Sequence, residues 1–163
     1  MNAHAFRHFY EYHFSENRKI WDRCARQLSD EQFTQAVTYS RGSVRDQILH
    51  LISCESMWFS ELSGSDPPED LNPADFPNRE SIRAHWDGVE QTIRLYLAEL
   101  RDDMLFDKPI QEPEEDKDLF AWQVLLHVAN HGTDHRAQLL RLLNDLGVET
   151  TSQDYIFYVY DNP

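Results

Sequence analysis

The stretch from Asp118 to Gly147 constrains the fold of this chain more than any other. At about 100° per residue, Val124, Val128, Leu139, Leu142 and Leu146 fall within roughly 60° of one another. That pattern predicts one long helix, buried along one stripe. His135 falls inside the stripe and His131 at its edge, one turn apart. Two imidazoles stand where a bundle helix presents Leu or Val to a core. Residues four apart on a helix hold their Cβ atoms about 5–6 Å from each other. Both rings can then reach one metal ion at about 2.0–2.1 Å. Burying a histidine without partners is costly. Each ring is therefore either satisfied by a neighbouring group or used as a ligand, and the pairing raises metal binding to a serious candidate. His127 extends the ladder but lies about 80° from the stripe centre. It is read as flanking, behind the ligands or packed on another helix. Gly132 follows His131, so the Glu of a zincin H-E-x-x-H motif is absent.

Three further amphipathic segments precede this one, so helices are expected near 3–28, 44–62, 79–100 and 118–146. The first carries Phe6, Phe9, Tyr10, His13, Asn17, Ile20, Trp21, Cys24 and Leu28 on one face. His13 and Asn17 interrupt that face and are expected to sit partly wet near a bundle end. The second opens at Ser43, a plausible N-cap, and ends before Gly64. Proline-bearing loops separate it from the third helix, and an acidic loop separates the third from the fourth. The short run 29-SDEQF-33 reads as a helical turn. The aromatic tail 154-DYIFYVYDNP-163 is too apolar to hang free and is expected against the bundle. The pattern predicts an all-α four-helix bundle forming a single domain over 1–163.

Composition narrows the function classes. Apolar content of 40% marks a globular chain, and a net charge of −14 disfavours a phosphate backbone as partner. No nucleic-acid binding is expected. No apolar run approaches the ~18–20 residues of a membrane span, and the N-terminus lacks the pattern of a signal peptide. A cytoplasmic protein without membrane contact is the expectation. Cys24 and Cys54 lie on different helices and are read as buried thiols rather than a disulfide.

A catalytic zinc-type site commonly offers three protein ligands and one open position. His131 and His135 supply two. The residues leave the third open among His50, His13, His85, Glu55 and Cys54. His50 lies about 120° from its helix stripe, but that helix is apolar nearly all round, which allows His50 to face the fourth helix.

Two motifs now stand together. The segment 44-VRDQILHLISCESMWFSEL-62 places His50, Glu55, Trp58 and Phe59 on one helix, and 127-HVANHGTDHRAQLL-140 has the form H-x3-H-x3-H-R-x-Q. In this combination the chain resembles the DinB-like (DinB/YfiT) superfamily. The tail DYIFY and the aromatic first helix 9-FYEYHFSENRKIWD-22 are similar to it as well. One departure is Ala137, where many members carry Gly. The resemblance implies an up-down-down-up four-helix bundle, with a metal held by His50, His131 and His135. It also implies a homodimer.

A site of three histidines suits Zn, Ni or Fe. Characterised members of the family include enzymes that activate a low-molecular-weight thiol. The resemblance thus implies a metal-dependent thiol S-transferase acting on a small thiol and an electrophile. A non-catalytic, stress-related metal-binding dimer and a metal-dependent hydrolase are the alternatives. Glu55 and Gln138 are expected either to orient the ligands or, for Glu55, to pair with Arg136.

Overall fold

The computed structural model describes residues 1–163 and contains helices and turns only. Helix α1 spans Ala3–Gln27, α2 Asp30–Thr34, α3 Val44–Leu62, α4 Arg79–Glu99, α5 Ala121–Asp145 and α6 Tyr155–Asp161. Side-chain caps open most of them. Asn2, Ser29, Ser43 and Asn78 each accept from a backbone N–H in the first turn, satisfying donors that have no helical partner. The sequence expectation places the last long helix from Asp118, whereas α5 begins at Ala121. The cause is a tether: Ala121 N–H donates to the Asp107 carbonyl at 2.9 Å, and the Gln123 side chain accepts from Phe120 N–H at 2.8 Å.

The long helices α1, α3, α4 and α5 form the bundle. Arg7 near the start of α1 donates to the carbonyls of Leu97 and Leu100 at the end of α4, at 3.0 and 2.9 Å. Arg79 at the start of α4 donates to Cys24 O at 2.9 Å near the end of α1. These two helices are antiparallel. Tyr10 OH donates to Leu125 O at 2.9 Å and Arg136 to Asn17 Oδ1 at 2.9 Å, so α1 and α5 run parallel. Glu55 meets Trp86 and Phe59 meets Tyr96, so α3 and α4 run parallel. His50 meets His135 and Trp58 meets His127, so α3 and α5 are antiparallel. The order is up-down-down-up. The proline-bearing segment between α3 and α4 is long because it must return the chain along the bundle before α4 descends beside α3.

Phe6, Tyr10, Ile48, Leu51, Ile93, Leu125 and Leu139 are buried at the centre. The tail meets the bundle on one side only. Tyr155 and Tyr158 of α6 pack on His8 and Tyr12, and Tyr155 also on Phe9. Ile156, Phe157 and Tyr160 face outward. No helix is long and apolar enough to cross a membrane.

Candidate metal centre

Helices α3 and α5 bring His50, His131 and His135 together. Each offers a ring nitrogen, and these nitrogens lie within 4.8 Å of one another. Ring centroids are 4.3 Å apart for His131 and His135, 4.5 Å for His50 and His135, and 5.2 Å for His50 and His131. His135 is buried, and the other two are half-buried. Burial pushes His50 and His131 down to about 4, helped for His50 by Arg41 and His135 and for His131 by His135 and His50. Burial also lowers His135. All three rings are therefore neutral near pH 7 and present lone pairs. Such a set is able to hold a metal ion.

The tautomer of His135 is fixed by a chain of amides. Its Nδ1 lies 3.1 Å from Gln47 Oε1, which can only accept, so Nδ1 carries the proton and donates. That leaves Nε2 with its lone pair free. Gln47 Nε2 donates to Gln138 Oε1 at 3.3 Å, and Gln138 Nε2 to Asp134 Oδ2 at 2.9 Å. Ser40 Oγ also donates to Gln138 Oε1. Orienting a ligand imidazole through its second nitrogen is what metal sites require. The sequence reasoning named Gln138 for this work and missed Gln47, which touches His135 directly. Only its place one turn before His50 on α3 hinted at this in the sequence, while its full burial is visible only in the fold.

The other candidates lie elsewhere. His127 is exposed, with its ring edge on Trp58 at 5.2 Å. His85 is exposed beside Phe76. Cys54 Sγ is 3.7 Å from His50 Nε2 and 3.8 Å from Nδ1, so it rests over the ring rather than joining the trio. Beside His50 a cavity of about 240 Å³ opens, walled also by Arg41, Asp46, Ser53 and Asp70.

His13 and Asn17 are not wet. They are 0% and 2% exposed, in a polar network that ties α1, α3, α4 and α5 together. Glu55 accepts from His13 Nε2 at 2.7 Å, Asn17 Nδ2 at 2.9 Å and Trp86 Nε1 at 3.1 Å. Arg136 Nη1 donates to His13 Nδ1 at 3.0 Å and to Asn17 Oδ1 at 2.9 Å, while its Nε donates to Gln153 Oε1 at 3.1 Å. Since arginine only donates, His13 Nδ1 is bare and Nε2–H faces Glu55. The expected direct Glu55–Arg136 pair is thus replaced by a bridge through His13 and Asn17. Gly132 makes this approach possible. A Cβ there would stand 2.4 Å from His13 Cε1 and 2.9 Å from its Nδ1. Gly132→Ala is expected to destabilise the protein by about 1–3 kcal/mol through overpacking, read as a lower urea midpoint. An unchanged midpoint would show that α1 can move away freely.

The DinB family model matches residues 1–162. The chain belongs to the DinB family. It is similar to the protein DinB of Bacillus subtilis (strain 168), at 25% identity over 167 residues, which cover 98% of this chain and 96% of that protein. Family membership and the all-helical fold therefore agree with the resemblance read from His50, Glu55, Trp58, Phe59 and the H-x3-H-x3-H-R-x-Q segment. In this DinB-family chain, the histidines of the two motifs that meet are His50, His131 and His135, while His127 stands at the rim.

Proposed function

We propose that this protein holds a divalent metal ion through His50, His131 and His135 and acts as a thiol S-transferase on a small thiol and an electrophile. The observation that carries the reading is the convergence of three neutral imidazoles, one of them facing an open cavity. An ion on three neutral ligands keeps its full charge and lowers the pKa of a thiol or water that it meets. The chain's own residues set the stage. Gln47 holds His135 in the tautomer that exposes Nε2, and Gln138 holds Gln47. No protein thiol is suited to be the nucleophile. Burial pushes Cys24 up to about 12 and raises Cys54 as well, so both stay protonated at neutral pH in the metal-free protein. The nucleophile therefore comes from outside. In the transfer, the sulfur of the small thiol bonds to the electrophilic carbon. The thiol proton passes to solvent, and the leaving group departs with its bonding pair.

The test measures bound metal and thiol consumption in parallel. The purified protein is expected to carry stoichiometric metal. His50→Ala and His135→Ala lose it, and His127→Ala keeps it. Loss of free thiol in the presence of an electrophile panel should require metal and survive in Cys24→Ser and Cys54→Ser. Full metal in His50→Ala together with loss in His127→Ala would overturn the ligand assignment. Turnover without any thiol would point to hydrolysis instead.

A further inference from the structure

Among the 15 lysines and arginines, Arg41 is alone in making neither a hydrogen bond nor an ion pair; the others all reach a partner. In a chain with 29 acidic residues, a guanidinium left free is conspicuous by its chemistry. It also has a location. Arg41 and His50 line the same cavity of about 240 Å³.

The loop around Arg41 is held in place. Ser40 adopts φ 55° and Gly42 φ 97°, and a left-handed non-glycine residue persists only where its surroundings fix it. Here the Ser40 hydroxyl donates to Gln138, which also receives Gln47, the residue that orients His135. The position of Arg41 is thereby coupled to that of His135. One acid on the wall, Asp46, is already engaged. Its Oδ1 takes Arg45 Nε at 3.1 Å and its Oδ2 the Ser43 N–H at 3.3 Å. Asp70 also lines the cavity and makes no ion pair.

We propose that Arg41 is a carboxylate-binding residue in the cavity beside His50, taking a small, singly charged carboxylate whose other end points toward His50. This rests on the reading of His50, His131 and His135 as the metal centre. A guanidinium forks onto a carboxylate through two parallel N–H donors. Asp46 and Asp70 on the same wall disfavour a doubly charged phosphate and tolerate an amino substituent. The cavity is smaller than the roughly 300–1,000 Å³ of drug-sized pockets, which restricts the ligand to a few heavy atoms beyond the carboxylate.

The experiment compares two thiols that differ only in this group, 3-mercaptopropionate and 3-mercapto-1-propanol. Each is titrated into the Co2+-loaded protein, with the cobalt absorption spectrum as readout. Arg41 is exposed, so the acid is expected to bind about fivefold more tightly, the upper end for a solvent-facing ion pair. In Arg41→Ala that gap closes, because the acid loses more affinity than the alcohol, and cobalt still binds the histidines. Arg41→Lys keeps part of the gap. Inorganic phosphate is expected not to displace the acid. Equal affinities in the wild type, a gap that persists in Arg41→Ala, or effective displacement by phosphate would each overturn the proposal. Those results leave the histidine-bound cobalt spectrum intact. Failure of cobalt to bind the histidines at all would instead bring down the metal reading, and this proposal with it.

Discussion

Replacing Arg136 with methionine is expected to destabilise the protein by about 3–5 kcal/mol, the usual effect of breaking a buried charged network from one side. Arg136 is 0% exposed and Glu55 2%. Methionine fills much of the arginine's volume, so little of the loss comes from a cavity. What remains is a buried carboxylate without its counter-charge, with His13 Nδ1 and Asn17 Oδ1 losing their donor. Urea unfolding should show it as a midpoint lowered by about 1–5 M, given slopes of roughly 1–3 kcal/mol/M. A midpoint shift below about 0.5 M would mean that water or a rearranged Gln153 replaces the guanidinium at little cost. Acid should act in the same direction on the wild type. Although burial alone would raise Glu55, its bonds from His13, Asn17 and Trp86 hold it below its ordinary 4.5. Its contribution is present above that value and lost as pH falls through the depressed one. Burial holds His13 below its ordinary 6.5. The unfolded chain takes up that proton first, so stability declines as pH drops below 6.5 here too.

The network also marks where reading the sequence stops. The four long helices were legible because each carries a stripe that repeats every three or four residues, and the caps Ser43 and Asn78 fix their starts. His131 and His135 were legible for the same reason, since their relation is internal to one helix. His50 was not. Nothing in α3 says which face meets α5, so the residues left it one of five candidates and only likeness to a known family singled it out. His13 and Asn17 were misread for a related reason. Two polar residues on an apolar face look wet unless partners exist, and theirs lie far along the chain, with Glu55 42 positions from His13 and Arg136 123 positions away. Gln47 escaped because its partners, His135 and Gln138, are equally distant in sequence. Nothing in the sequence singles out Arg41. Its lack of a partner is a fact about the whole molecule, and no local window contains it.

Saturating zinc is expected to raise the melting temperature by roughly 8–16 °C. A ligand at about 1,000 times its Kd stabilises the folded state by about 4.1 kcal/mol, and a chain of this length shifts by about 2–4 °C per kcal/mol. His50→Ala and His135→Ala should abolish the shift, while His127→Ala, outside the trio, should retain it. The pH dependence separates this site from a set of ordinary exposed histidines. Protons and metal compete for the same nitrogens. With ordinary imidazoles near 6.5, the shift would fade as pH falls below neutrality. Here His50 and His131 are pushed down to about 4, so the folded protein binds few competing protons until that region. The zinc shift at about pH 5.5 should therefore remain close to that at about pH 7.5 and collapse near 4. The metal-free protein should behave differently. Its unfolded chain gains protons below 6.5 that the folded chain refuses, so its melting temperature falls across that window even without metal. Parallel scans with and without zinc read both effects at once. A zinc shift that disappears between about pH 7 and 6 would show that the three rings titrate as free imidazoles and do not form the site described.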